Sequence, residues 1–338
     1  MSKLTSSCAA FILAGLLWFG GTGQTQEKKL EPLNVSYASV TGTRAPLWIA
    51  KDMGLFEKHG LDVKLVNIVS GSTSMQALLG GDIQLVAAAG SSAVSAAARG
   101  APVVIIASFG PIAYKLIAHP SIPSVQELKG KTIGSNRPGA GSDFALRRLL
   151  PKLGLIPGKD VTILPTGLSE SDRRILIMLQ GKIDATIATI DNLLQLELRG
   201  QRVTVLADLL EMGVWTSGSD VSTTRQFLKA HPQRAKAFLK AFSEGIWMGR
   251  NDKELTYRIF RKYMRIENPK LLESMHKNYL LGTIPTKPYP REEAIQSDIE
   301  DLSSTNPQLK GRSPSEFMDI SVLREIENEG FFTRLQGK

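Results

Sequence analysis

Along the chain, short β-branched runs alternate with segments whose apolar residues recur every three or four positions. The run LNVSYASV (33–40) reads as a strand. In PLWIAKDMGLFEKHG, Leu47, Ala50, Met53 and the pair Leu55/Phe56 keep helical spacing, Pro46 suits the first helical position, and Gly60 ends the helix. Further strands are predicted over 62–69, 83–89 and 102–109, with the helices MQALLGG and SSAVSAAARG between them. Alternation of this kind implies a parallel sheet covered by helices.

A second pass of similar design starts near Leu116. Its predicted strands are KTIGSN, DVTILP (160–165), IDATIATI (183–190) and RVTVLADL. The helices between them include SDFALRRLLPKLG, with Phe144, Leu146, Leu149 and Leu150 at core spacing. The two passes echo each other: GLDVKLVNIVSGSTSMQALLGGDIQLV and GKDVTILPTGLSESDRRILIMLQGKIDATI share the order strand, turn, helix, Gly, strand. From about Thr223 the pattern is helical, with TRQFLKAHPQRAKAFLKAFSEGIWMGR broken near Pro232. The expected fold class is α/β and two-lobed, each lobe a mostly parallel sheet flanked by helices, with a helical C-terminal region packed on lobe one. The expected boundaries are 30–112 with 221–338 for lobe one and 113–220 for lobe two, crossing near 110–116 and 213–221. A length of 338 residues suits two such units, and 42% hydrophobic with 22% charged residues is ordinary globular composition.

The N-terminal segment departs from this pattern. Lys3 precedes an apolar run from Cys8 to Gly21, too short to span a bilayer as a helix, and the small residues Gly21, Thr22 and Gly23 follow. This reads as a secretory signal over 1–26, cleaved near Gly23 or shortly after; an uncleaved anchor is the alternative. Cys8 is the only cysteine, so its removal would exclude disulfides, thiolate nucleophiles and cysteine metal sites from the remainder. The net charge of +9 is spread along the chain and interleaved with acids, as in FEKHGLDVK and NDKELTYR. It predicts no nucleic-acid partner, only a mild attraction for anionic ligands.

Enzyme signatures are incomplete. Gly130, Lys131 and Thr132 resemble the end of a phosphate-binding loop, but Val125 stands where its first Gly is required. Gly139 and Gly141 precede Phe144, not the third Gly of a dinucleotide fingerprint, and there is no G-x-S-x-G. The four histidines are far apart, which predicts no metal site. What recurs is a small polar cluster after each strand: VTGTR (40–44), VSGSTS (69–74), AGSS (89–92), SNRPGAGS (135–142) and TIDN (189–192). Ser, Thr and Gly are ordinary cap and turn residues. Five clusters at equivalent places would also converge on one cleft at the carboxyl edge of the sheets, where helix N-termini suit an anionic group. Candidate contacts are Thr41, Thr43, Arg44, Ser72, Thr73, Gly90, Ser91, Ser92, Arg137, Gly139, Ser142, Thr189 and Asp191. Arg137 is the foremost cation, a guanidinium fork in a Gly-rich loop, with Ser142 placed to cap the following helix; Arg44 is a weaker one. Tyr37, Trp48, Phe109 and Trp215 could wall an aromatic pocket, with Trp48 favoured as core and Trp215 as the better wall.

The segment APLWIAKDMGLFEKHGLDVKLVNIVSGSTSMQALLGGDIQLV resembles the opening of the NMT1/THI5-like periplasmic substrate-binding proteins, and ELKGKTIGSNRPGAGSDFALRRLL resembles their second-lobe entry. The group includes the binding components of sulfonate, taurine and nitrate importers, and the likeness covers roughly 33–265. It implies a type II periplasmic-binding fold, a periplasmic location and an ABC transporter permease in the inner membrane as partner. It also implies ligand contacts at Thr41 and Thr43, Ser72 and Thr73, Ser91 and Ser92, and Arg137 to Ser142. The eukaryotic members that make a thiamine pyrimidine carry a cysteine-rich iron motif and an active-site histidine, and this chain has neither. The expected function is capture of a small sulfonate, carboxylate or nitrate-like anion for import, by a monomer without catalytic residues or cofactor. A ligand-sensing module for a membrane receptor and a small-carboxylate lyase on the same fold are the alternatives.

Overall fold

The computed structural model describes residues 29–68, 70–168, 170–214, 218–303 and 306–337. The predicted signal segment and Trp215 lie outside the described residues. No helix among the described residues is long and apolar enough to cross a membrane.

The first sheet holds β1 (Glu31–Tyr37), β2 (Leu61–Asn67), β3 (Leu85–Ala89) and β4 (Val103–Ser108). Their apolar runs are buried because helices cover both faces: β4 has no exposed residue, and Leu33 and Val35 of β1 point into the core. β1 pairs in parallel with both β2 and β3, Val35 lying beside Leu65 and Leu85. The second sheet holds β5 (Tyr114–Ala118), β6 (Thr132–Ser135), β7 (Thr162–Pro165), β8 (Ala185–Thr189) and β9 (Thr204–Asp208).

Two strands escape the periodicity. β10 (Ser219–Thr224) returns from the second unit and inserts antiparallel between β3 and β4. β5 leaves the first unit and inserts antiparallel between β8 and β9. The strand orders are therefore β2-β1-β3-β10-β4 and β7-β6-β8-β5-β9, one plan used twice, each sheet completed by a strand from across the molecule. The sequence SDVSTT of β10 shows no apolar alternation because its polar side chains are buried and bonded inside the sheet, as when Thr223 Oγ1 donates to Gln84 O at 2.7 Å.

The helices of the first pass are α1 (Ala45–Asp52), α2 (Leu55–Lys58), α3 (Gly71–Gly80) and α4 (Gly90–Ala98). The single helix predicted over PLWIAKDMGLFEKHG is split at Gly54, whose φ of 64° is left-handed. The second pass supplies α5 (Gly141–Lys152), α6 (Ser171–Leu179) and α7 (Ile190–Leu198). The C-terminal region holds α8 (Arg225–Ala230), α9 (Pro232–Asn251), α10 (Lys253–Met264), α11 (Pro269–Met275), a π turn over His276–Thr283, α12 (Glu292–Ser303), α13 (Ser321–Asn328) and α14 (Phe331–Leu335). The break at Pro232 falls between α8 and α9. α9 packs on α1, where Gly245 allows the backbones to approach: a Cβ there would lie 2.3 Å from Pro46 O. Phe238, Leu239, Phe242 and Ile246 join Trp48 and Phe56 in the largest core, so the helical region belongs to lobe one.

Candidate ligand-binding cleft

The carboxyl ends of both sheets face one another. At the centre the lobes touch: a Cβ on Gly141, the first residue of α5, would lie 2.6 Å from Ala89 Cβ at the end of β3. Beside it Ser92 Oγ donates to Gly139 O at 3.2 Å. Two further interlobe links hold this closed arrangement. Arg148 of α5 reaches Asp298 at 3.1 Å and Asp301 at 2.7 Å on α12, and the Tyr279 hydroxyl of the π turn donates to Asp191 of α7.

A chamber of about 220 Å³ lies on one side of the central contact. Lobe one contributes Thr41, Thr43 and Arg44 after β1, Ser219 of β10, and Tyr263, Arg265 and Tyr279; lobe two contributes Tyr114, Glu170, Asp172, Thr189, Asp191, Asn192 and Gln195. The turn Gly42–Arg44 delivers Arg44 inward because Gly42 has no side chain: a Cβ there would meet the Tyr279 ring at 2.1 Å. Thr41 and Thr43 hydroxyls bond each other at 2.8 Å.

Arg44 is 2% exposed. Its Nη1 donates to the Ser219 hydroxyl, its guanidinium lies 4.9 Å from the Phe109 ring centre, and its Nε has no partner among the described residues. Burial lowers its pKa to about 10, countered by Tyr114 and Asp220, so it remains a cation at neutral pH. Asp220 is itself buried, which raises its pKa to about 7 against the Ser108 hydroxyl bond that favours the charged form.

Asp191 lines the same chamber from lobe two and is also 2% exposed. It sits in the first turn of α7, whose start is a capping box between Thr189 and Asn192. Burial raises its pKa, the Thr189 and Tyr279 hydroxyls lower it, and nearby Asp172 raises it. Burial and the adjacent Asp191 hold the Tyr279 phenol protonated, so it acts as donor. Above, Tyr263 stacks on Trp48 with ring centres 4.8 Å apart, and Trp48 is core. Arg265 closes α10 with φ 56°, a left-handed position normally given to Gly, and lies exposed at the rim.

Other sequence candidates fall elsewhere. Ser72, Ser92 and Gly139 line a second, more open hollow of about 700 Å³ on the far side of the central contact, with Met75, Phe144 and Arg147. Thr73 is half-buried at the start of α3 and lines neither hollow. Gly90 N–H donates to Gly218 O at 3.3 Å, and Ser91 is buried with its hydroxyl unpartnered among the described residues. Arg137 is exposed and lines neither hollow. Ser142 does not cap α5: its hydroxyl accepts from Asn136 N at 2.9 Å, which ties down the loop instead, and Ala140 occupies the cap.

The residues that sequence reasoning missed are Tyr114, Glu170, Asp172, Asn192, Gln195, Ser219, Tyr263, Arg265 and Tyr279. Ser219 and Tyr114 sit on the two exchanged strands, and Tyr263, Arg265 and Tyr279 belong to helices assigned only a packing role. Asn192 lay within a named polar cluster and was legible there.

Comparison with known proteins places this architecture. A Brucella abortus (strain 2308) protein, named only provisionally as a binding protein, is 36% identical over 126 residues, 37% of this chain and 38% of its own length. The match thus spans well under half of that relative. A protein of Bordetella bronchiseptica RB50 superposes with a TM-score of 0.75 at 19% identity, over 89% of this chain and 98% of its own. The periplasmic aliphatic sulphonate binding protein SsuA of Escherichia coli superposes with a TM-score of 0.64 at 21% identity, over 86% and 92%. These structural likenesses show a shared two-lobed periplasmic-binding fold. The NMT1/THI5 like family model matches residues 42–252, more than half of the sequence, and takes in Arg44, Tyr114 and Asp191. The chain belongs to the NMT1/THI5-like family.

Proposed function

We propose that this protein is the periplasmic solute-binding component of an ABC import system, and that it captures a small molecule in the chamber between its lobes. The observation that carries the reading is the pairing of a closed, two-lobed cleft with a buried guanidinium, Arg44, presented into it from lobe one. A group buried this deeply needs compensation by an acceptor. Ser219 supplies one acceptor and Asp220 acts through space, while Nε has no partner among the described residues. An anionic or strongly accepting ligand group would complete the set.

In this reading 30–112 with 221–338 and 113–220 move as two bodies about the segments that join β4 to β5 and β9 to β10. The contacts at Gly141, Ser92 and Tyr279 form on closure. The chain acts as a monomer, and the permease partner reads the closed state. Names of similar proteins support binding over catalysis.

Native mass spectrometry of protein purified from the periplasm, together with solution scattering before and after stripping, tests this. The expected result is a retained small molecule, and expansion when it is removed. A stripped protein whose scattering is unchanged by the released molecule at saturation would overturn the reading.

A further inference from the structure

The chamber presents two buried ionisable groups, a guanidinium and a carboxyl group, from opposite lobes. Arg44 and Asp191 are each 2% exposed, and both line the chamber. Among the described residues neither takes part in a salt bridge, and neither neutralises the other. A guanidinium and a carboxyl group that line one space of about 220 Å³ without pairing are the negative image of a ligand that carries both an anionic and a cationic group.

The start of α7 strengthens the assignment of sign. A bare helix N-terminus would favour an anion. Here the capping box of Thr189 and Asn192 occupies that end, and Asp191 adds a carboxylate in the first turn. Asp172 stands near Asp191 and Glu170 joins it at the lobe-two wall; Arg173, 3.8 Å from Glu170, and the buried Arg174 offset those two carboxylates, which leaves Asp191 as the buried acid that no cation pairs among the described residues. A plain anion of the sulfonate or nitrate kind would satisfy Arg44 and leave Asp191 buried beside added negative charge, which is costly.

We infer that the chamber selects a compact zwitterion, its anionic group against Arg44 and its cationic nitrogen against Asp191. Asp191 is then the residue that separates amine-bearing ligands from plain anions of the same length. Tyr279 orients it by donating to its carboxyl Oδ1, and the Thr189 hydroxyl adds a second hydrogen bond. This inference rests on the solute-binding reading above.

Matched probes test it: acetate against glycine, propionate against β-alanine, and ethanesulfonate against 2-aminoethanesulfonate. They are titrated by calorimetry into stripped protein and into Asp191→Asn, with circular dichroism and unliganded melting to establish that the variant is folded. At least one amine-bearing member should bind the wild type about 10- to 100-fold more tightly than its plain partner, and Asp191→Asn should erase that ratio. The comparison within the wild type stands even if the variant does not fold. Plain anions binding as well as their amine partners would overturn the zwitterion while leaving solute binding intact. So would an unchanged ratio in folded Asp191→Asn, or the absence of binding by every amine-bearing probe. A retained native ligand without a basic nitrogen would do the same, whereas no retained ligand and no closure would count against the solute-binding reading itself.

Discussion

The loops after β1 and after β6 look alike in sequence. Each is a short Gly- and Ser/Thr-rich stretch with one arginine, VTGTR and SNRPGAGS, at the carboxyl edge of a parallel strand. In space they differ. The first turns inward under the Tyr279 ring and buries Arg44 against Ser219 and Phe109. The second bends at Gly139, with φ 74°, pins its backbone through Ser142, and leaves Arg137 exposed. Its glycine at 141 serves a different end, letting lobe two touch Ala89 of lobe one. A loop's composition prescribes that it can bend tightly; what packs over it determines whether its cation becomes a binding group.

The largest effect expected from breaking this comparison is at Arg44. Arg44→Ala removes a buried cation and leaves Asp220 without its nearest opposite charge. Denaturant unfolding should show a loss of about 3 kcal/mol, and ligand affinity should fall at least about 100-fold by calorimetry. A change under about 1 kcal/mol would mean that the guanidinium is solvated, as Arg137 is.

Gly42→Ala should come next. The added Cβ must displace the Tyr279 ring, 2.1 Å away. A cost of about 1–3 kcal/mol is expected from melting, with weaker ligand binding because Tyr279 also holds Asp191. Full stability and affinity in the variant would show that the ring can move aside freely.

Asp220 sharpens the Arg44 side through pH. Burial raises its acid to about 7, well above the value of about 4 in an unfolded chain. The native state therefore keeps a proton that the unfolded state has released. The corresponding stability is fully present below about pH 4 and is lost as pH rises towards 7. Its slope is at most about 1.4 kcal/mol per pH unit. Asp220→Asn should flatten this component in unfolding curves taken between pH 4.5 and 7.5; identical slopes in the two proteins would place Asp220 outside the buried charge set.

The smallest effect is predicted for Arg137→Ala. An exposed side chain outside both hollows should change stability by less than about 0.5 kcal/mol and affinity by less than about twofold. A tenfold loss of affinity would restore Arg137 to the site and show that its loop folds inward when ligand is bound.

Much of the fold was legible because burial leaves a period in the sequence. The β2–α3–β3 and β7–α6–β8 units stand out from the alternation of apolar runs with spacing of three and four, and the pattern repeats between lobes. The long helix broken at Pro232 was equally plain. What failed was any element whose burial is polar or shared. β10 carries Ser219, Asp220, Ser222 and Thr223 in the middle of a sheet, satisfied by partners far along the chain, and so reads as a loop. β5 is only five residues long and pairs with strands that follow it by tens of residues.

The sequence by itself determined the local elements, the doubled plan, the family, and the small polar loops that open the cleft at the sheet edges, including Thr41, Thr43, Arg44, Thr189 and Asp191. These follow from short-range spacing, which one chain displays without its partners. Only the tertiary structure decided that Arg44 and not Arg137 is the buried cation, because burial depends on what covers a loop, and here the cover is Tyr279, more than two hundred residues downstream. It alone brought Asp191 to the same chamber as Arg44, since the two lobes meet through the exchanged strands and the close approach of Gly141 to Ala89, contacts that no periodicity records.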